Sequence, residues 1–279
     1  MAVILSSYGT PNTIEEVEKY VVRIYGKKRQ EVVEELVQKI KTVGISPANK
    51  IIGELAKKLE NKLGERVVIG NRNWDPMLVD ALNQIKHEKE VKFVPLTPFS
   101  SAYVLKGYLD SLNKALKQVS VEGELKLVSG WYTFQPFHTI WSKRCEITPE
   151  LSVVFTAHTL MKGDEYEKQV RTLAQEVARK LGIEEYHVAF HSQPMMPGDW
   201  IRPSIFEIVQ KIKTKGVLVV PIGFVFTNME VTFDLDYEFK EKLESLGLIY
   251  KRAPLPDADD DFVEVLSRVI KSEQFVTNM

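Results

Sequence analysis

Cysteine is almost missing from this chain: Cys145 is the single one in 279 residues. An internal disulfide, a paired-cysteine metal knuckle and a cysteine-held iron–sulfur cluster are therefore all excluded. A lone thiol suits a reducing compartment, and the cytoplasm is the expected location. An excess of charge is missing too. With 37 Lys and Arg against 38 Asp and Glu, the formal charge is −1. Neither nucleic acid nor a strongly anionic membrane is expected as a partner at that balance. No apolar run approaches the roughly 20 residues that span a bilayer. The first residues, AVILSSYG, are too short and lack the basic flank of a secretory signal, so they read as a first β-strand. Low-complexity segments and long Pro/Gly linkers are absent as well.

What is present is alternation. Short apolar runs fall at 2–8, 66–71, 91–96, 125–130, 152–157, 186–191 and 217–222. Between them lie amphipathic patterns at 13–25, 30–42, 47–62, 76–88, 101–118, 164–181, 201–213, 228–245 and 258–271. β-branched, continuously apolar strands separated by helices predict parallel sheets covered on both faces. The order also repeats. AVILSSYGT matches SVVFTAHTL, and VVIGNRNWDPMLVDAL resembles HVAFHSQ followed by WIRPSIFEIV. VKFVPLTPF matches VLVVPIGFV, with Pro95 and Pro221 in register. The fold expected is α/β, with two similar halves over 1–125 and 126–279 and a cleft between them into which strand C-termini open. Tyr8 and His158 occupy equivalent places in the repeat, each at a strand end. On opposite walls, a phenol and an imidazole can bracket a flat ligand or a metal.

The acidic run after the last of these strands carries the most chemistry. Glu230, Asp234 and Glu238 recur every fourth residue in MEVTFDLDYE, which stacks three carboxylates near one helix face. Such a row can carry a divalent cation, protons or both. It is equally the pattern of a solvated helix face.

Taken in order, these segments resemble the ferrochelatases, which insert ferrous iron into a porphyrin. SSYGTP (6–11), GISPAN (44–49), WYTFQPFHTIW (131–141), TAHTL (156–160), PGDWIRPSI (197–205) and VPIGFV…MEVTFDLDYE (220–238) carry the resemblance from one end of the chain to the other. It implies two Rossmann-like, pseudo-symmetric halves with parallel four-stranded sheets, and a wide π-type turn in the acidic helix. It implies that His158 and Glu230 form the catalytic pair at the ring centre. Asp234 and Glu238 would extend that pair as a carboxylate path, so that all four residues can meet metal. Tyr8 would sit on the opposite ring face. A tyrosine before Gly-Thr-Pro resembles the coproporphyrin-using branch more than the protoporphyrin-using one. Ser46 and the basic group Arg23, Lys27, Lys28 and Arg29 are candidates for the ring propionates. Phe99, Tyr103 and Trp200 are candidates for apolar contact with the macrocycle. Porphyrin and ferrous iron are then substrates, with no permanently bound cofactor, and an apolar lip at the cleft mouth could touch a membrane without spanning it.

The chain departs from the family pattern in places. Phe99 stands where many members carry histidine. Thr227 and Asn228 replace an acid and a histidine that often precede the glutamate, and Tyr25 stands where arginine is expected. His191 takes the place of a glutamine and can partly compensate for the lost polar groups near the ring. Two other readings use the same residues: a cobalt or nickel chelatase acting on a sirohydrochlorin-like ring, and a tetrapyrrole carrier without turnover. The first wants a larger basic rim than a near-neutral chain offers, and the second needs no proton path.

Overall fold

Strands form where β-branched residues run consecutively, and the central ones are buried on both faces. A computed structural model describes residues 1–193 and 197–279. Its first sheet holds β1 (Ala2–Ser6), β2 (Arg66–Ile69), β3 (Glu90–Pro95) and β4 (Glu124–Val128), parallel in the order β2-β1-β3-β4. The second holds β5 (Leu151–His158), β6 (His187–His191), β7 (Gly216–Val220) and β8 (Ile249–Arg252), parallel in the order β6-β5-β7-β8. The two orders are the same, as the internal repeat predicted. A further strand, β9 (Val276–Asn278), adds antiparallel to β4, so the first sheet has five strands rather than four.

Helices cover both faces. In the first half these are α1 (Val17–Tyr25), α2 (Gln30–Val43), α3 (Ala48–Leu63), α4 (Leu78–Ile85) and α5 (Ala102–Leu116). They are followed by α6 (Gln135–Arg144), α7 (Tyr166–Leu181), a π-helix (Val231–Phe239) that continues as α8 (Lys240–Glu244), and α9 (Asp260–Lys271). The strand period of two sorts the core. Val3, Leu5, Val67 and Val94 face one hydrophobic cluster, while Ala2, Ile4, Val68 and Phe93 face another. The first cluster runs unbroken from the first sheet through α6 and α9 into the second sheet, so the halves share a core.

The division expected at residue 125 falls inside β4, which lies wholly in the first sheet. The chain end then returns to that sheet through α9 and β9, with Phe275 edge-on to Phe134 at 5.4 Å between ring centres. Arg144, at the end of α6, clamps this return. It reaches Asp259 at 2.7 Å and Asp261 at 2.6 Å with its own side chain 8% exposed.

Two helix expectations change. The helix expected over 201–213 is only a five-residue 3-10 segment, Glu207–Lys211. Its first residues stay extended because Phe190 N–H donates to the Pro203 carbonyl and Ile205 N–H donates to the Phe190 carbonyl, which ties them to β6. Conversely, α6 has little amphipathic signature, because polar His138 and Arg144 fall on the same face as buried Phe137, Ile140 and Trp141. Among the described residues, no helix is long and apolar enough to cross a membrane.

Candidate active site

The C-terminal ends of the two sheets open into one cavity of about 460 Å³, where open α/β sheets place ligands. Its walls come from both halves. Tyr8, Ser46, Arg72, Phe99, Tyr103 and Tyr108 are contributed by the first, and His158, Tyr166, Phe224, Phe226 and Glu230 by the second. A second depression of about 440 Å³ lies near the start of the first sheet, against Met1, Arg66 and His87. It lacks the tyrosine and phenylalanine wall of the first and sits away from the strand C-termini, so the first is the candidate site.

Tyr8 is held on the first wall by the turn after β1. Gly9 there has φ +81°, and a Cβ at that position would lie 2.8 Å from Trp74 Cβ, so only glycine fits. Ser7 Oγ donates to Asn71 Oδ1 at 2.7 Å, and Tyr20 O–H donates to the Gly9 carbonyl at 2.9 Å, which pins the turn. Burial pushes the Tyr8 phenol up, with Arg72 opposing. The Tyr8 phenol is therefore neutral at ordinary pH.

His158 is the last residue of β5. Its Nδ1 lies 2.5 Å from the Thr159 carbonyl. A carbonyl can only accept, so Nδ1 carries the proton and Nε2 presents its lone pair. That Nε2 is 3.6 Å from Glu230 Oε1. Glu230 side-chain surface is 40% exposed, and it lines the cavity among the aromatic walls. Burial accordingly raises the Glu230 carboxyl above the usual range, and the charge of Asp234 adds to the rise, while His158 and Lys39 oppose it.

Glu230 immediately precedes the π-helix. Bonding from i to i+5 widens the turn, and such segments concentrate at functional sites. Asn228 Oδ1 accepts from Val231 N–H at 3.0 Å and so caps this helix, while Thr227 bonds Asp257 through both its N–H and its hydroxyl. The two departures noted in the sequence thus have local structural partners. On the side away from the row, Asp236 accepts from Tyr250 O–H at 2.8 Å and Arg252 Nε at 2.7 Å, which fixes the helix to β8.

The expected residues divide into two groups. Tyr8, Ser46, Phe99, Tyr103, His158 and Glu230 line the cavity, although Phe99 is 1% exposed and mainly packs edge-on to Tyr166. Arg29, His191, Trp200, Asp234 and Glu238 do not line it. Arg29 lies over the Tyr25 ring and pairs with Glu31 at 2.8 Å. Its neighbours are also engaged, Arg23 with Asp75 and Lys28 with Glu18. His191 is buried behind His158, with ring centres 6.5 Å apart, and its Nδ1 shares a 2.7 Å hydrogen bond with Thr156. Burial depresses its basicity well below that of an ordinary histidine. Trp200 bridges to Met161 at the edge of the second half. Asp234 is buried beside Glu230, where it accepts from Ser192 Oγ, and Glu238 lies further along the helix toward solvent. Among the described residues, no three His, Cys, Asp or Glu side chains gather as a ready metal cage. The row is strung out along the helix.

Arg72 is the residue that sequence reasoning passed over. Its guanidinium lies between the rings of Tyr8 and Tyr108, at 4.9 and 5.0 Å from their centres. It forms no salt bridge with any described residue, and its Nε is buried without a partner. Gly107 makes room for it, since a Cβ there would sit 2.1 Å from Arg72 Nη2. The available signal was positional: Arg72 closely follows β2, at the end of a strand where sites form.

Comparison with known proteins comes to the same place. The family model described as Ferrochelatase matches residues 1–274. The chain is 28% identical to a ferrochelatase of Thermoplasma acidophilum over 97% of its own length and 90% of the relative's. It is 29% identical to a coproporphyrin III ferrochelatase of Halalkalibacterium halodurans over 98% and 97% of the two lengths. In fold it is similar to the sirohydrochlorin chelatase SirB of Bacillus subtilis in complex with cobalt, with a TM-score of 0.63 at 11% identity, covering 97% of this chain and 93% of that one.

Proposed function

The chain belongs to the ferrochelatase family, and from that premise we propose that it inserts ferrous iron into coproporphyrin III. The observation that carries the reading is the single cavity in which Tyr8 and Arg72 on one wall meet His158 and Glu230 on the other. A flat macrocycle fits between two such walls with its centre against the imidazole.

Metallation exchanges two pyrrole protons for one divalent ion. The nitrogen lone pairs must tilt out of the ring plane, and binding along the macrocycle offsets that distortion. His158 offers a lone pair at Nε2 and takes the first proton. Glu230, 3.6 Å away, stabilises the imidazolium and accepts the second. Before any proton moves, that same Nε2 lone pair and a Glu230 oxygen can hold ferrous iron briefly without trapping it, and the lone pair is free to take a proton only once iron has passed to the ring. Iron is a substrate in this scheme, not a resident cofactor. Asp234 and Glu238 extend the acidic row away from the ring.

The choice of coproporphyrin rests on Arg72 and Tyr8. An arginine with no carboxylate of its own is suited to a ring carboxylate, and coproporphyrin carries more of these than protoporphyrin. Arg72→Met is expected to raise KM for coproporphyrin about tenfold with a smaller change in kcat, as read from anaerobic steady-state metallation. A change confined to kcat would remove Arg72 from substrate binding. The deciding experiment is anaerobic metallation of coproporphyrin III, protoporphyrin IX and sirohydrochlorin with ferrous iron, followed by absorbance. Faster turnover of coproporphyrin supports the assignment, and Tyr8→Phe should then cost it more than protoporphyrin. Preference for protoporphyrin, or equal loss on both rings in the variant, sinks it.

A further inference from the structure

Lys39 projects from α2, in the first half, onto the acidic row of the second. Its Nζ lies 3.5 Å from Asp234 Oδ1 and 3.2 Å from Glu35 Oε1, and 4.8 Å from the centre of the Phe233 ring. Its side chain is 25% exposed, and that of Asp234 is 9% exposed. The second oxygen of Asp234 accepts from Ser192 Oγ. Both oxygens of the buried carboxylate are thus engaged, one by a cation that the protein itself supplies. The same ammonium opposes the upward shifts of Glu230 and Glu238, so its field reaches the whole row.

A divalent ion at Asp234 would displace this ammonium or lie beside it. Like charges a few ångströms apart in a partly buried site repel strongly. Displacement also forfeits the contact with the Phe233 ring and the pairing with Glu35. Resting on the metallation reading above for the nature of the cation, we propose that Lys39 is an internal counter-cation that closes the Asp234 end of the row to divalent metal. A metal ion then meets His158 and Glu230 from the open cavity and is not passed along the π-helix while Lys39 is in place. The row keeps its carboxylates in register without becoming a metal trap. Lys39 is a specificity-determining residue in this role and touches no substrate.

The test needs no porphyrin. Manganous ion is titrated into the full chain and the unbound fraction is followed by electron paramagnetic resonance. Lys39→Met is expected to bind the ion at least about tenfold more tightly than the wild type. Adding Asp234→Asn to that variant should abolish the gain, and Lys39→Arg, which keeps the charge, should match the wild type. The proposal is overturned if Lys39→Met binds no tighter than wild type, if the gain survives Asp234→Asn, or if Lys39→Arg gains as much as Lys39→Met. Because only the metal is present, failure here leaves the metallation reading standing. A wild type that binds the ring but never metallates it would instead remove that reading without touching the binding result.

Discussion

Replacing His158 by alanine is expected to lower the metallation rate about a thousandfold while leaving ring affinity nearly unchanged. Among the described residues lining the cavity His158 is the one imidazole, and its Nε2 is turned inward because Nδ1–H donates to the Thr159 carbonyl. The aromatic walls that hold the macrocycle remain in the variant. Single-turnover metallation under anaerobic conditions measures the first quantity, and quenching of porphyrin fluorescence on binding measures the second. Turnover close to wild type would take His158 out of the chemistry. A parallel loss of ring affinity would make it a wall residue.

Glu230→Gln should separate activity from stability. Turnover is expected to fall about a hundredfold, since glutamine neither accepts a proton nor balances an imidazolium. Stability should move the other way. Burial raises the Glu230 carboxyl in the folded protein above its ordinary value. Its contribution to stability is full below that ordinary value and is lost as pH rises through the raised one, because the unfolded chain ionises more readily. At neutral pH the folded protein therefore bears the cost of a partly desolvated carboxylate, which glutamine removes. A rise in Tm of roughly 2 °C is expected at pH 7.5, shrinking to nothing as pH falls below the ordinary glutamate range. Calorimetry across that pH range checks it, and a variant destabilised at pH 7.5 would show that the ion pair with His158 outweighs desolvation.

Such opposed effects mark a site that keeps an unfavourable charge for its chemistry. Arg72 has a buried Nε with no hydrogen-bond partner among the described residues, and leaving such a donor unmet costs stability.

Much of this was legible before folding. Continuous β-branched runs specify strands, their alternation with amphipathic segments specifies parallel sheets, and the repeat specifies two like halves. Those signals are local, with periods of 2 and 3.6 residues, and local sterics enforce them. The strand-end rule then located Tyr8 and His158, and four-residue spacing located Glu230, Asp234 and Glu238 on one side of a helix. Where two local signals competed, the reading failed. The 201–213 segment has helical periodicity, but hydrogen bonds between Phe190 and residues 203 and 205 hold its start extended. The α6 segment shows a weak stripe because polar His138 and Arg144 lie on the face it buries.

The amino-acid order by itself therefore determined the layers, the repeat and the residue types at the strand ends. Tertiary structure decided which of those residues meet. Arg23, Lys28 and Arg29 are near the right place in sequence, yet each of these three finds an acidic partner outside the cavity. Arg72 enters the cavity because Gly107, on a different element, leaves room for a guanidinium between two tyrosine rings. Lys39 and Asp234 lie 195 positions apart and in different halves. Pairing across such a distance has no period to read. It exists because a small separate cluster around Val17, Val21 and Ile40, with Met229 packed on it, sets α2 beside the π-helix, and that geometry determines whether an acidic row is open to a metal ion or already holds a cation of its own.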